Sequence, residues 1–253
     1  RLHPNSHIYG SLLNVCVQAR DLKMAKKHFQ EMLDSGFAGS VITYTTLINA
    51  YVAECGKRGG WKYVDECWKL LYMMRKNNVA PNNRTYTLIV KACYKAGLMK
   101  KAKEILNEME KDNVTPDLQM YTTIISGLLV DNCLTIKEKR KIVDDITLGI
   151  HKQGLKLDRS IFIVLISVFA QLDELETAKT YYSRMKAKRL LLRETGYGKL
   201  IGCCDRVRGL SSKKAFVQWL LVVLIDVEKS GTVLSDMSYC RLLRACGEAK
   251  DSD

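Results

Sequence analysis

The sequence lacks the usual marks of chemistry. It has no glycine-rich phosphate loop, no Ser, His and Asp set in a suggestive context, no His-x-Glu with paired cysteines, and no acidic cluster of the kind a two-metal nuclease needs. The expectation is a binding segment, not an enzyme, with no cofactor. Nine cysteines form no Cys-x-x-Cys, and His3, His7, His28 and His151 have no ligand spacing, so a zinc site is not expected. Nothing at the N-terminus resembles a signal or transit peptide. The most apolar run, Ala215 to Val227, is interrupted by Gln218, closed by Asp226 and Glu228, and too short to span a membrane; it reads as a buried helix. Acidic residues are scarce, 27 against 40 Lys and Arg, and the formal charge of +13 points to a polyanionic partner, with nucleic acid the default.

What is present is a repeat. Asn83 to Asp117 reads as a complete helical hairpin: an apolar-periodic run from Tyr86 to Tyr94, a breaker at Lys95-Ala96-Gly97, and a second run from Leu98 to Met109 that ends at Val114-Thr115-Pro116-Asp117. Two short helices cannot bury their apolar faces alone. An aromatic followed three or four residues on by Leu or Ile recurs at Tyr9, Tyr44, Tyr86, Tyr121, Phe162, Tyr197 and Tyr239, at spacings of 35, 42, 35, 41, 35 and 42. In the three 35-residue units, Ala25, Ala102 and Ala178 share one slot early in the second helix, and Met32, Met109 and Met185 share another near its end. A small residue and a pliable one in the same seam suit stacked hairpins. At 253 residues and 47% apolar the chain could hold one or two globular domains, yet the repeat implies a single solenoid without one central core.

Thr43-Tyr44-Thr45-Thr46-Leu47-Ile48, Thr85-Tyr86-Thr87-Leu88-Ile89 with Lys95-Ala96-Gly97, and Tyr121-Thr122-Thr123-Ile124-Ile125-Ser126-Gly127-Leu128 resemble the first helix of a pentatricopeptide repeat. Val79-Ala80-Pro81-Asn82 and Val114-Thr115-Pro116-Asp117 resemble its close. The tetratricopeptide pattern of Trp, Leu, Gly and Tyr is absent. The resemblance implies an all-α fold, a right-handed superhelix of helical hairpins, in a P-class-like array of units at about 6–40, 41–82, 83–117, 118–158, 159–193 and 194–235, with a partial unit over 236–253. Arg1-Leu2-His3-Pro4-Asn5 reads as the tail of a preceding unit, so the chain is expected to be an excerpt of a longer one, with any targeting segment outside it.

The longer units read as enlarged joints between their two helices, around Cys55-Gly56-Lys57-Arg58-Gly59-Gly60-Trp61 in the first case and ahead of a Thr135-Ile136-Lys137-Glu138 capping box in the second. Either the first loop or the Lys137-Glu138-Lys139-Arg140-Lys141 cluster could contact a partner or be ordinary solvated surface. Cys16, Cys93, Cys204 and Cys246 take the eleventh place of their units, where others carry Tyr51, Leu128 and Phe169; this is a packing slot, and the thiols are expected to be structural and reduced.

In the pentatricopeptide family, RNA is read at about one base per repeat by the fifth and last residues of a unit. The resemblance carries these roles to Gly10 with Ser40, Thr45 with Asn82, Thr87 with Asp117, Thr122 with Asp158, Ile163 with Arg193, and Gly198 with Ser235. Thr45 with Asn82 resembles an adenine reader, and Thr87 with Asp117 and Thr122 with Asp158 guanine readers, for a preferred core of 5′-A-G-G. At the second position, which sandwiches the base, stand His7, Ile42, Arg84, Gln119, Ser160, Thr195 and Met237; only Ile42 matches the family's aliphatic habit, with Arg84 a candidate contact. At the thirteenth, phosphate-facing position stand Lys95 and Arg206, but Gln18, Ala53, Val130 and Gln171 elsewhere. Many basic residues lie instead on second helices, among them Lys23, Lys26, Lys27, Lys100, Lys101, Lys103, Lys179, Lys186, Lys188 and Lys213, which should face outward. Two functions remain open. One is a single-stranded RNA-binding module of a mitochondrial or chloroplast gene-expression factor; the other is a scaffold in an organellar ribosome or RNA polymerase complex that contacts proteins and structured RNA.

Overall fold

The computed structural model describes residues 5–131, 133–190, 192, 194–203, 207, 210–229 and 231–250. These contain thirteen α-helices and no strand. They group into two compact units, 1–134 and 135–253.

The first unit holds α1 (Ser6–Gln18), α2 (Leu22–Asp34), α3 (Val41–Cys55), α4 (Lys62–Lys76), α5 (Asn83–Ala96), α6 (Met99–Lys111) and α7 (Leu118–Val130). The odd-numbered helices begin for one recurrent reason. A short oxygen-bearing side chain stands just before each and accepts the amide hydrogen of the third helical residue, one of the four donors a helix start leaves unpaired. Asn5 caps α1 through Ile8 (3.0 Å), Ser40 caps α3 through Thr43 (3.2 Å), Asn82 caps α5 through Thr85 (3.0 Å), and Asp117 caps α7 through Met120 (2.7 Å). At α3 and α5 the threonine answers by accepting from the cap's own amide, which closes a capping box. Gly97 ends α5 in the left-handed conformation at φ 69°, where a Cβ would be strained.

α1, α3 and α5 each pack on their own second helix and on the next odd helix, so α1, α3, α5 and α7 form one layer and α2, α4 and α6 the other. Ala25 and Ala102 are fully buried at the close approaches, and Met32 and Met109 fill the seam below them. The recurrent tyrosine is more than core filler. Its ring is buried, while its hydroxyl reaches the residue that ends the second helix of the same hairpin: Tyr9 to Ser35 (3.3 Å), Tyr44 from Asn77 (2.7 Å), and Tyr86 to Asp112. Each hairpin is therefore latched from the start of one helix to the end of the other. Such a bond to a neutral partner contributes about 1 kcal/mol, more to a carboxylate.

Between hairpins the second layer is joined by charge. Lys26 on α2 pairs with Glu66 on α4 (3.6 Å), Asp65 beside it accepts from Lys101 on α6 (2.7 Å), and Arg75 at the end of α4 donates to Glu108 (2.7 Å), Asp112 (3.1 Å) and Tyr86 (3.2 Å). The extra residues of 41–82 do not all enlarge the joint. Compared with 83–117, four lie between the helices (56–61 against 97–98) and three lengthen α3 and α4 to 15 residues each, against 14 and 13.

The second unit holds α8 (Ile136–Lys152), α9 (Arg159–Gln171), α10 (Leu175–Ala187), α11 (Glu194–Ile201), α12 (Leu210–Lys229) and α13 (Asp236–Lys250). Thr135 and Glu138 form the expected capping box, and most of the long 118–158 stretch's surplus goes into the 17 residues of α8. Asp158 caps α9 through Ile161 (2.9 Å). α9 packs on α10 and α11, and α12 packs on α10 and α13. Where Phe162 has no hydroxyl to latch, the Lys188 ammonium lies over its ring at 5.7 Å. Tyr182 and Lys186 both donate to Asp226, tying α10 to α12. α12 corrects the expectation of a buried helix. Phe216, Leu220, Val223 and Val227 are buried, but Leu221, Val222 and Ile225 stand open, because neighbouring helices cover only one side of a helix that is apolar on more than one.

Candidate nucleic-acid interface

The second position is exposed wherever the structure describes it: His7, Ile42, Arg84, Gln119, Ser160, Thr195 and Met237. Ile42 is 76% exposed, an unusual cost for an aliphatic side chain in an otherwise well-packed hairpin. Lys95 is also exposed, at the carboxyl end of α5, and Arg206 lies outside the described residues. The fifth position is more enclosed. Thr45 and Thr87 are 7% and 5% exposed, Thr122 is half-buried, and Ile163 is packed into the core at 7%. Each threonine hydroxyl gives its hydrogen to its own helix: Thr45 to the Ile42 carbonyl (3.0 Å), Thr87 to Asn83 (2.8 Å), Thr122 to Leu118 (2.6 Å). What it can offer a ligand is a lone pair.

The partners at the last position are the helix caps. Asn82 spends Oδ1 on the amide and hydroxyl of Thr85, which leaves the Nδ2 donor on the other branch of an exposed side chain. Asp117 spends Oδ1 on Met120 and Asp158 spends Oδ1 on Ile161, which leaves each the Oδ2 acceptor. Asp117 is half-buried and Asp158 exposed. Capping thus fixes which atom is used inward and hence which remains. An amide keeps a donor pair and a carboxylate keeps an acceptor. Thr45, Thr87 and Asn82, Asp117 belong to the first unit, as does Thr122; Asp158 belongs to the second.

The identity of cap and candidate reader escaped the sequence reading. A Ser, Asn or Asp one residue ahead of a helical run was the available signal. Most of the second-helix lysines are at the surface, and several are also paired. Lys26, Lys101 and Lys186 are pinned to carboxylates on neighbouring second helices, Lys213 pairs with Glu248, and Lys23 and Lys27 stand at the surface; the Lys103 side chain lies outside the described residues. Much of that charge serves hairpin-to-hairpin contact because the facing acids, Asp65 and Glu66 in the first unit and Asp226 in the second, sit on the neighbouring second helix.

The thiols match a packing role. Burial pushes Cys55 up to about 11 and Cys93 up to about 12, and raises Cys67 further, so all three are neutral at physiological pH. Cys16 and Cys246 are half-buried, Cys133 and Cys240 exposed, and Cys204 is outside the described residues. Among the described residues no group of three or more His, Cys, Asp or Glu could hold a metal, and no helix is long and apolar enough to cross a membrane.

Comparison with known proteins adds a lineage to this geometry. Residues 2–144 match the profile described as the pentacotripeptide-repeat region of PRORP, and residues 160–190 match the PPR repeat profile. A mitochondrial pentatricopeptide repeat-containing protein of Arabidopsis thaliana is 30% identical over 90 residues, 36% of this chain and 17% of the relative. A second from the same plant is 28% identical over 192 residues, 76% of this chain and 26% of the relative. The chain thus spans about a quarter or less of these relatives' own length. Among solved structures, the pentatricopeptide repeat protein PPR10 from maize superposes with a TM-score of 0.70 at 21% identity, over 98% of this chain and 32% of PPR10. PPR10 in complex with an 18-nucleotide psaJ RNA element gives 0.58 at 18% identity, over 88% and 31%. The PPR domain of Arabidopsis thaliana protein-only RNase P 1, in complex with tRNA, gives 0.61 at 13% identity, over 79% of this chain and 98% of that domain.

Proposed function

The chain belongs to the pentatricopeptide repeat family, and on that premise we propose that it is a single-stranded RNA-binding module whose helix caps choose the base. The observation that carries the reading is the division of labour at Asn82, Asp117 and Asp158: one atom of each side chain starts a helix, and the other is left for a ligand. A threonine lone pair suits either purine, since adenine and guanine both present N–H groups on their Watson–Crick edge. The cap then separates them, because an amide donor complements adenine N1 and a carboxylate acceptor complements the N1 and N2 hydrogens of guanine. Thr45 with Asn82 and Thr87 with Asp117 accordingly read A and then G, and the family register gives the next G to Thr122 with Asp158. Ile42 and Arg84 flank the bases, and Lys95 faces phosphate.

RNA as partner is supported by the bound psaJ element of PPR10 and the bound tRNA of the RNase P domain. That second match is to the repeat domain alone, which supports a binding and not a catalytic role for this segment. Several relatives are named mitochondrial, which supports an organellar setting. A scaffold role in an organellar ribosome or transcription complex draws on one observation: Ile163 is packed away, so the unit 159–193 offers no polar group at its fifth position. Selection from randomised single-stranded RNA decides for the module if A-G-G is enriched. Crosslinking in the native compartment that recovers ribosomal RNA or protein subunits, with no enrichment in the selection, decides for the scaffold.

A further inference from the structure

A cavity of about 350 Å³ opens beside the carboxyl ends of α1, α3 and α5. Three cations line it from three separate segments: Arg20 in the first joint, Lys57 in the enlarged second joint, and Lys95 in the last turn of α5. Ala50 and Ala53 on α3 leave the space between them. The one carboxylate in the lining, Glu54, pairs with Lys57 at 2.6 Å. Neither Arg20 nor Lys95 has an acidic partner among the described residues, so the cavity carries an excess of two positive charges. The negative end of a helix dipole explains a cation at each carboxyl terminus taken singly. It does not explain three that converge on one hollow.

The joint holds its lysine in place. The Lys57 amide donates to the Glu54 carbonyl (3.0 Å), and the Gly60 amide donates to the Lys57 carbonyl (2.9 Å). A Cβ at Gly60 would stand 2.4 Å from the Glu54 carbonyl oxygen, so only glycine lets the loop fold back so tightly. Arg20 is fixed in the left-handed region at φ 58°, its amide bonded to Val17 (3.1 Å). The exposed Glu54–Lys57 pair is weak and can open to an anion. Along α5 the step from Thr87 to Lys95 is eight residues, about 12 Å, so the cavity lies a little over two helical turns from the reading groups, toward the opposite end of the same helices.

We propose that Arg20 and Lys57, from the two joints, join Lys95 at its phosphate position and make this cavity a three-cation site that anchors one backbone phosphate of the RNA. The inference rests on the RNA reading above. Its ligand chemistry is an oxyanion of a phosphodiester, held by one guanidinium and two ammonium groups. The enlarged joint of 41–82 then supplies a ligand contact that an unexpanded repeat, with two residues between its helices, has no chain to provide.

The test compares wild type with an Arg20→Gln/Lys57→Gln double variant and with a charge-matched control, Lys152→Gln/Lys156→Gln at and just beyond the end of α8, all checked for native helicity. Binding of an A-G-G oligonucleotide is measured across a salt series, and binding of inorganic pyrophosphate by calorimetry. The expected result is a salt slope lower by about 0.7 in the double variant, one single-strand phosphate contact. The A-G-G to A-A-G preference should stay the same, pyrophosphate binding should be lost, and the control should do neither. The same slope in the double variant as in wild type, the same slope loss in the control, or pyrophosphate that binds wild type and double variant alike or neither overturns the site. If wild type shows no A-G-G preference while pyrophosphate binding still requires Arg20 and Lys57, the base-reading proposal fails and the anion site stands.

Discussion

Replacing Asp117 with Asn changes one atom at the place where helix start and base choice meet. Asp117 accepts the Met120 amide at 2.7 Å through Oδ1. Asn and Asp cap about equally well, so the loss in fold stability is the charge–dipole part, about 0.3 to 1 kcal/mol. The amide must turn its oxygen toward Met120, as Asn82 turns its own toward Thr85 (3.0 Å), and this leaves Nδ2 where Oδ2 was. A single outward acceptor becomes a donor. If each correct edge is worth about 1 to 3 kcal/mol, reversal of the preference at the middle base moves the A-A-G to A-G-G affinity ratio by about 2 to 6 kcal/mol, roughly 30-fold or more. Fluorescence anisotropy with the two oligonucleotides at one fixed salt reads the ratio. Loss of a negative charge strengthens both affinities together and cancels in the quotient. A ratio unchanged within threefold, in a variant that melts close to wild type, refutes the capping account of base choice.

Three further expectations concern the frame that holds this site. Tyr86→Phe removes the hydroxyl that Asp112 and Arg75 share and should cost about 1 to 2 kcal/mol in urea unfolding, against about 0.5 for Tyr9→Phe, whose partner Ser35 is uncharged. Hydrogen bonds from Lys111 and then Arg75 hold the Glu108 carboxyl below its usual range, so the stabilisation is complete above the ordinary glutamate value and fades as pH falls through the depressed one; thermal melts should drop below about pH 4, and less so for Arg75→Ala. Iodoacetamide at pH 8 should label Cys133 and Cys240 in the native protein and reach Cys55, Cys67 and Cys93 only after denaturant, as peptide mass mapping will show.

The hairpin rhythm was legible because its signals are local: a tyrosine at the fourth place, a breaker at Gly97, a capping box at Thr135 with Glu138. Less visible was the fate of the surplus residues in 41–82, since Lys62 and the residues after it favour helix as readily as loop and the glycines alone do not mark where α4 begins. The open side of α12 was hidden for a different reason. Leu221, Val222 and Ile225 are as apolar as Phe216 and Val223, and only the neighbours decide which are covered. The caps lay in plain view, yet a unit counted by its own register puts Asn82 at the end of one repeat when its side chain acts at the start of the next. Arg20 and Lys57 are far apart in the chain and meet only through packing, which no spacing rule encodes.

The two layers of the first unit are fastened by different forces, and the difference has a mechanical meaning. Between successive hairpins the layer of α1, α3, α5 and α7 is in apolar contact, which added salt does not weaken. Across the other layer the ties from Lys26 to Glu66, Asp65 to Lys101, and Arg75 to Glu108 are partly exposed ion pairs. Raising ionic strength slackens those alone. Neighbouring hairpins are thus held by two kinds of fastening, one indifferent to electrolyte and one sensitive to it. An RNA lying along such an array would meet a surface whose stiffness, and not merely whose charge, is set by the surrounding ions.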